Sequence, residues 1–267
     1  MRRSLLALCV LASAISLVPS RASAAGWINV CHFDHRSMDD PIVYPSDPGA
    51  SHLHDFFGNK TTDAYSTYGS LLRGGTSCDM RADTAAYWAP ALKYRRRFRE
   101  PSSVKIYYRT LTTPLRAIQP FPRGLKIVAG DSHATGRQST HYVSWGCGDH
   151  EHNHPIDCGS KNVVAHIKFP ECWDGQRIDS PDHKRHMAYA VEKGGRYICP
   201  RRHPVPLPRL IIRIEWPIHN GRRIRLSSGR YYTLHADFFN AWHQHRLSRL
   251  VRHCIDAGVN CGEPGSN

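Results

Sequence analysis

After its first two dozen residues the chain has no long apolar run, and nowhere does it contain a Cys-x-x-Cys pair, an internal repeat or a low-complexity linker. Each absence excludes something. Without a second apolar run there is no candidate for a membrane-spanning helix. Without Cys-x-x-Cys, a structural zinc site built on cysteines is disfavoured. Without repeats or linkers, 267 residues read as a single domain with a sizeable core. Two closely placed carboxylates, which a retaining glycosidase needs, are also missing as a sequence pattern. Lysine is scarce, 8 against 28 Arg, and acids number only 22. The formal charge of +14 suits adhesion to acidic surfaces such as teichoic acids, uronate polymers or anionic lipids.

What is present is apolar and aromatic. A hydrophobic share of 40%, with 6 Trp, 12 Tyr and 8 Phe, is too high for a disordered polycation. Arg2 and Arg3, the apolar stretch Leu5 to Val18 and the small residues Ala22-Ser23-Ala24 read as a secretory signal peptide over 1–25. Its removal takes three arginines and no acid, leaving +11, and points to an extracellular protein. The mature chain would begin at Ala25 or Gly26, which excludes a copper monooxygenase needing an N-terminal histidine. Eight cysteines remain, and in an oxidising compartment they predict up to four disulfides. The pairing is open, with Cys147–Cys158 and Cys254–Cys261 as local candidates.

Runs rich in β-branched and aromatic residues predict strands at Trp27 to Phe33, Tyr87 to Tyr94, Val104 to Leu111, Leu125 to Ala129, His141 to Trp145, Val163 to Phe169, Leu210 to Trp216 and Tyr231 to Ala236. Turn clusters such as Ser46-Asp47-Pro48-Gly49, Arg73-Gly74-Gly75 and Asn220-Gly221 separate them. Near the end Trp242, Leu247, Leu250, Val251, Cys254 and Ile255 fall close to helical spacing, opposite Arg246, Arg249 and Arg252, with Gly258 placed to stop the helix. The expected fold over 26–267 is mainly β: a single-domain antiparallel β-sandwich, jelly-roll-like, with short helices and one C-terminal helix. Positive charge concentrates in Lys93-Tyr94-Arg95-Arg96-Arg97-Phe98-Arg99 and in Arg196 to Arg230, where nine arginines meet the single acid Glu215. An exported protein rarely meets nucleic acid, so the expected partner is a polysaccharide or anionic cell-wall polymer.

Several motifs then fall in a distinctive order. Asp40-Pro41-Ile42-Val43-Tyr44-Pro45 leads to Gly49-Ala50-Ser51-His52-Leu53-His54-Asp55-Phe56-Phe57-Gly58-Asn59, and Tyr87-Trp88-Ala89-Pro90-Ala91-Leu92 follows. Next come Ile167-Lys168-Phe169-Pro170-Glu171-Cys172-Trp173-Asp174-Gly175 and Asp179-Ser180-Pro181-Asp182-His183-Lys184-Arg185-His186-Met187-Ala188-Tyr189. Cys199-Pro200, His203-Pro204-Val205, Pro208 and His235-Ala236-Asp237-Phe238, with Asn240 and Trp242, complete the series. From about 39 to 242 the chain resembles the secreted family called DUF1996, a domain of unknown function. The resemblance implies a secreted fungal or actinobacterial setting, sometimes beside modules that bind cell-wall sugars, and transfers no activity.

Of the 18 histidines, six lie in those motifs: His52, His54, His183, His186, His203 and His235. His52 and His54 are two apart, so in an extended segment both rings point to one side. That arrangement delivers two metal ligands, or a base and its partner, to one spot, with Asp55 available to orient an imidazole. His183 and His186, beside Asp182, converge on a turn, and His235 and Asp237 repeat the two-residue spacing. Two readings follow. In one, a His/Asp-rich cleft makes the protein a polysaccharide lyase or hydrolase. The catalytic candidates are His52, His54, His183, His235, Asp237 and Lys184, and His52, His54, His183 and His186 are candidate ligands of a divalent metal. In the other, the protein binds glycan without cleaving it, through Tyr87, Trp88, Trp173 and Trp242, and the His pairs are structural. His150, His152 and His154 read as an adventitious metal strip, and His243, His245 and His253 as helix surface.

Overall fold

The structure, a computed structural model, describes residues 25–112, 117–148 and 150–263; the signal peptide expected over 1–25 lies, but for Ala25, outside them. Alternation builds the first sheet. In Arg209–Trp216 the side chains of Leu210, Ile212, Ile214 and Trp216 are buried, while Ile211, Arg213 and Glu215 between them are part-exposed. Ser103–Arg109 repeats the pattern with Val104, Ile106 and Tyr108. Numbering the strands of the two large sheets in chain order gives β1 Gly26–Cys31, β2 Phe33–Ser37, β3 His54–Gly58, β4 Ala86–Pro90, β5 Ser103–Arg109, β6 Lys126–Gly130, β7 Val143–Gly146, β8 Glu151–His152, β9 Val163–Lys168, β10 Arg209–Trp216 and β11 His235–Phe239. One antiparallel sheet runs β1-β5-β10-β9-β7-β8 and the other β2-β3-β4-β11-β6.

The two sheets close on one core. Trp27, Tyr108 and Ile212 of the first meet Tyr87, Ile127 and Phe238 of the second, all at most 1% exposed. The expected sandwich and the C-terminal helix are both present. Gln244–Leu250 is α-helical and continues into the wider-wound Val251–Asp256, burying Leu247, Leu250, Val251, Cys254 and Ile255 before Gly258 turns at φ 70°. All eight cysteines among the described residues pair, as Cys31–Cys78, Cys147–Cys158, Cys172–Cys199 and Cys254–Cys261.

Strand boundaries depart from expectation in three places. β3 is a strand that no periodicity announces, because both its faces are covered and all five residues are buried. Its outer face and those of β4 and β11 lie under the segment 38–73, where Ile42 and Leu71 pack on Phe56, Ala86, Trp88 and Phe239. The run Tyr87 to Tyr94 breaks after Pro90, and Leu92–Tyr94 joins a separate small sheet with Arg97–Arg99, Ile224–Leu226 and Gly229–Arg230. Tyr231–Thr233 is a helical turn, held by Thr233 Oγ1 donating to Arg230 O at 2.8 Å, so the last strand starts only at His235.

Buried polar groups tie the core. Asp83, fully enclosed, accepts from Asn29 Nδ2 at 2.7 Å, from the Ala85 N–H at 3.2 Å and from the Tyr87 hydroxyl at 2.8 Å. The Tyr87 and Tyr108 hydroxyls are hydrogen-bonded to each other, and Trp242 Nε1 donates to Tyr108 Oη at 2.8 Å. These partners decide the fate of the aromatic glycan-binding candidates. Tyr87, Trp88 and Trp242 have no exposed surface, and a ring covered on both faces has none to offer a sugar. Tyr87 and Trp242 serve the Asp83 network, and Trp88 stacks on Phe56 at 5.6 Å. Trp173 alone is part-exposed, with its indole N–H donated to Arg177 O at 2.6 Å.

Candidate functional site

The outer face of the second sheet carries the chemistry. Along β3, His54 and Phe56 point outward while Asp55 and Phe57 point the other way. On β11, His235 and Asp237 point outward with Phe239. β4 lies between them, with His54 paired to Pro90 and Asp237 to Trp88, so His54 and His235 flank one row of the sheet. The loop 38–51 completes the site. Asp40 Oδ1 accepts the N–H groups of Ile42 and Val43 at 2.9 and 3.0 Å, an Asx-type turn entered through Pro41. Ser51 N–H donates to Met38 O at 3.1 Å and closes the loop. That closure sets Asp40 near His54 and delivers His52 next to it.

Three imidazoles therefore cluster. The ring centres are 4.2 Å apart for His52 and His54, 4.9 Å for His52 and His235, and 5.9 Å for His54 and His235. One ring nitrogen from each lies within 4.8 Å of the others, and the same limit holds for His54 with carboxylate oxygens of Asp40 and Asp237. His54 thus belongs to both triads. Its Nδ1 donates to Asp39 O at 3.0 Å, and Nδ1 of His235 donates to Thr233 O at 2.8 Å, which leaves Nε2 of each ring as the nitrogen with a lone pair. Nε2 of His52, Nε2 of His54 and both carboxylate oxygens of Asp237 are buried without a hydrogen-bond partner.

Burial also sets the charge state. It is the main cause that holds His54 well below the ordinary imidazole range, with His52 and His235 adding to it. It takes His235 down to about 3, helped by His52, and His52 to about 4, helped by His133. The carboxyls go the other way. Burial first, then the neighbouring Asp40, pushes Asp237 well above its usual range; burial raises Asp40 against the two N–H groups it accepts. The cluster at neutral pH is three uncharged imidazoles beside two carboxyls drawn towards their protonated form.

A cleft of about 390 Å³ lies along the next strand, β6, with Val128, Gly130, Tyr142, Met187, Tyr189 and Lys184 in its walls; no residue of the cluster lines it. Gly130 is the β6 partner of His235. Lys184 Nζ donates to Gly130 O at 2.8 Å, and its charge is felt by both His235 and Asp237. Of the expected site residues, the fold thus gathers His52, His54, His235 and Asp237, with Lys184 at the margin.

The others lie elsewhere. His183, at φ 58°, binds Asp179 Oδ1 through Nδ1 at 2.9 Å; it influences Asp40 but joins neither triad. His186 is fully buried with Nδ1 on Ser180 Oγ at 2.9 Å and Nε2 on Lys126 O at 2.6 Å. With both nitrogens engaged it is a strut of its turn and not a metal ligand. Asp55 faces away from the histidines and pairs with Arg36 Nε, its cross-strand neighbour, so it orients no imidazole. Among the described residues the strip His150, His152 and His154 forms no group of three metal-capable atoms, and Cys31, Cys78 and Asp83, though close, include two cysteines already joined to each other. Asp40 was missed as a site residue although it opens the first motif; an acid before Pro signals a turn, and its meeting with His54 depends on the closed loop.

The fold and the site define a two-sheet β-sandwich protein with a buried His/Asp cluster on an outer sheet face, one strand away from a cleft. The chain belongs to the family described as domain of unknown function (DUF1996), whose model matches residues 40–242, a span that includes every member of the cluster. No curated protein and no solved structure matched the chain.

Proposed function

We propose that this is a secreted enzyme that cleaves an extracellular, anionic polysaccharide, as a lyase or hydrolase, at the His52–His54–His235 cluster. The observation that carries the reading is the convergence of three uncharged imidazoles one strand away from a cleft that holds a lysine. Of the three, only His52 is part-exposed, so it is where substrate meets the cluster. The uncharged imidazoles offer ring nitrogens that can accept a hydrogen bond, and Lys184 supplies positive charge for a uronate carboxylate or a developing oxyanion. Asp237 stands behind them.

The basic surface favours an acidic polymer. In the small sheet Arg230, Arg225, Lys93 and Phe98 are successive cross-strand partners and share one face. Like charges placed opposite one another cost stability, and among the described residues no carboxylate pairs with Arg225, Arg230 or Lys93. A ligand of opposite charge gives that arrangement a use. The sheet abuts the cluster: Ser227 Oγ hydrogen-bonds to Leu53 O, between His52 and His54.

The test is a screen of the secreted protein on uronate polymers, teichoic acids and neutral glycans, with His52→Ala in parallel. New reducing or unsaturated ends from an acidic polymer are expected, falling at least a hundredfold in His52→Ala. Cleavage unchanged in that variant would remove the proposed site. Binding without cleavage of any polymer would leave a non-catalytic wall protein.

A further inference from the structure

We infer that the cluster is a divalent metal site of the zinc class, with His52, His54 and His235 as nitrogen ligands and the carboxylate of Asp237 at its inner side. This deepens the function proposed above, since the base offered to substrate then becomes a metal-bound water whose proton is released near neutral pH. The argument rests on the donor atoms. Buried polar atoms are almost always hydrogen-bonded, and one left unmatched is destabilising. Here two imidazole Nε2 atoms and both oxygens of one carboxylate lack partners within a single cluster, on residues as enclosed as His54 and Asp237, 0% and 1% exposed. A cation among the three imidazoles would engage both nitrogens, with the Asp237 carboxylate beside it next to His54. A purely structural histidine network would instead have these rings donate to one another or to the carboxylates, and among the described residues no such bond joins them.

The rings are also held as ligands are held. Nδ1 of His54 and Nδ1 of His235 each donate to a main-chain carbonyl, which fixes the tautomer and aims Nε2, the usual outer-sphere arrangement of metal-bound histidine. The three imidazole donors lie within 4.8 Å of one another and need only a contraction to surround an ion at about 2 Å, while the Asp237 carboxylate shares that limit with His54 and Asp40. Three nitrogens with a carboxylate select zinc or copper over calcium or magnesium, which take oxygen.

The experiment uses tag-free, disulfide-bonded protein stripped with chelator, then titrated with Zn²⁺ and Cu²⁺ by calorimetry and checked by elemental analysis. One ion per chain is expected. His52→Ala, at a part-exposed position, and Asp237→Asn, which keeps the shape, should weaken binding at least tenfold, as should His54→Gln. Circular dichroism identifies any variant that has failed to fold. A triple alanine variant of His150, His152 and His154 should bind as the parent does. Loss of the ion in that triple variant, with full binding in His52→Ala and Asp237→Asn, would overturn the assignment, as would no stoichiometric binding at all. The two readings separate cleanly. Cleavage that depends on His52 yet survives chelation sinks the metal and spares the enzyme; stoichiometric metal without cleavage of any polymer does the reverse.

Discussion

At the scale of single residues, the decisive property is which atoms have partners. His54 and His186 are both fully buried histidines, yet His186 has both nitrogens hydrogen-bonded and His54 only one. Spacing made the first legible, because residues two apart on a strand share a face. It could not reveal that the turn 179–186 folds inward onto Lys126. Asp83 shows the converse, a polar residue spent on the core. Burial lifts its carboxyl to about 7 from an ordinary 3.8, against the hydrogen bonds from Tyr87, Asn29, Ala85 and Tyr108 that favour the charged form. The native state therefore keeps a proton that the unfolded chain loses between those values. This contribution is complete below about pH 4 and is lost as pH rises through about 7. The melting temperature should fall between pH 6 and pH 8.5, and Asp83→Asn should flatten that fall. About 1 kcal/mol corresponds to roughly 2–4 °C in a chain of this size. Thermal denaturation across the range checks this, and equal slopes in both proteins would count against it.

Among the elements, legibility followed exposure. β5 and β10, with one face on the core and one towards solvent, alternate plainly and were readable to within two residues. β3, enclosed on both faces, carries no alternation, so its strand character emerged only from its neighbours. Trp88 and Trp242 are closed to glycan for a related reason: composition counts aromatic rings and does not say which face of a sheet is covered. Segment 38–73 covers the face beneath Trp88, and that covering also encloses His54. The turn that carries His183 and Lys184 depends on a different device, the Cys172–Cys199 disulfide across a separation of 27 residues. Closing a loop of this length stabilises by roughly 3–4 kcal/mol on the chain-entropy estimate. Replacing both cysteines with alanine should lower stability by about that much and loosen Lys184 from Gly130. Metal affinity at the β3 and β11 histidines should persist once the variant is folded. Denaturant unfolding and Zn²⁺ titration of the double variant separate the two effects.

For the molecule as a whole, charge is the property with a direction. The +14 formal charge is not spread evenly. A concavity of about 370 Å³ is framed by Arg222, Arg223, Arg225, Arg230 and Tyr231, and the hairpin opposite turns through Arg95 and Arg96, both at positive φ, 49° and 69°. That conformation costs an ordinary side chain about 1 kcal/mol or more and is usually left to glycine or asparagine. Two arginines at such a tip put long cationic side chains where a polymer can reach them. Because these groups are exposed, their attraction is screened by salt, the Debye length shrinking to about 3 Å at 1 M. The protein should therefore be retained on immobilised uronate polymer at low ionic strength and released well before 1 M NaCl. Arg225→Glu with Arg230→Glu, both exposed and away from the histidines, should cut retention at least tenfold and raise KM on acidic polymer, with kcat and bound metal unchanged. Salt-insensitive retention would mean that the polymer is held by its sugar rings and not by its charge. A loss of kcat together with metal would mean that the small sheet supports the cluster itself, through Ser227 and Leu53, instead of guiding substrate to it.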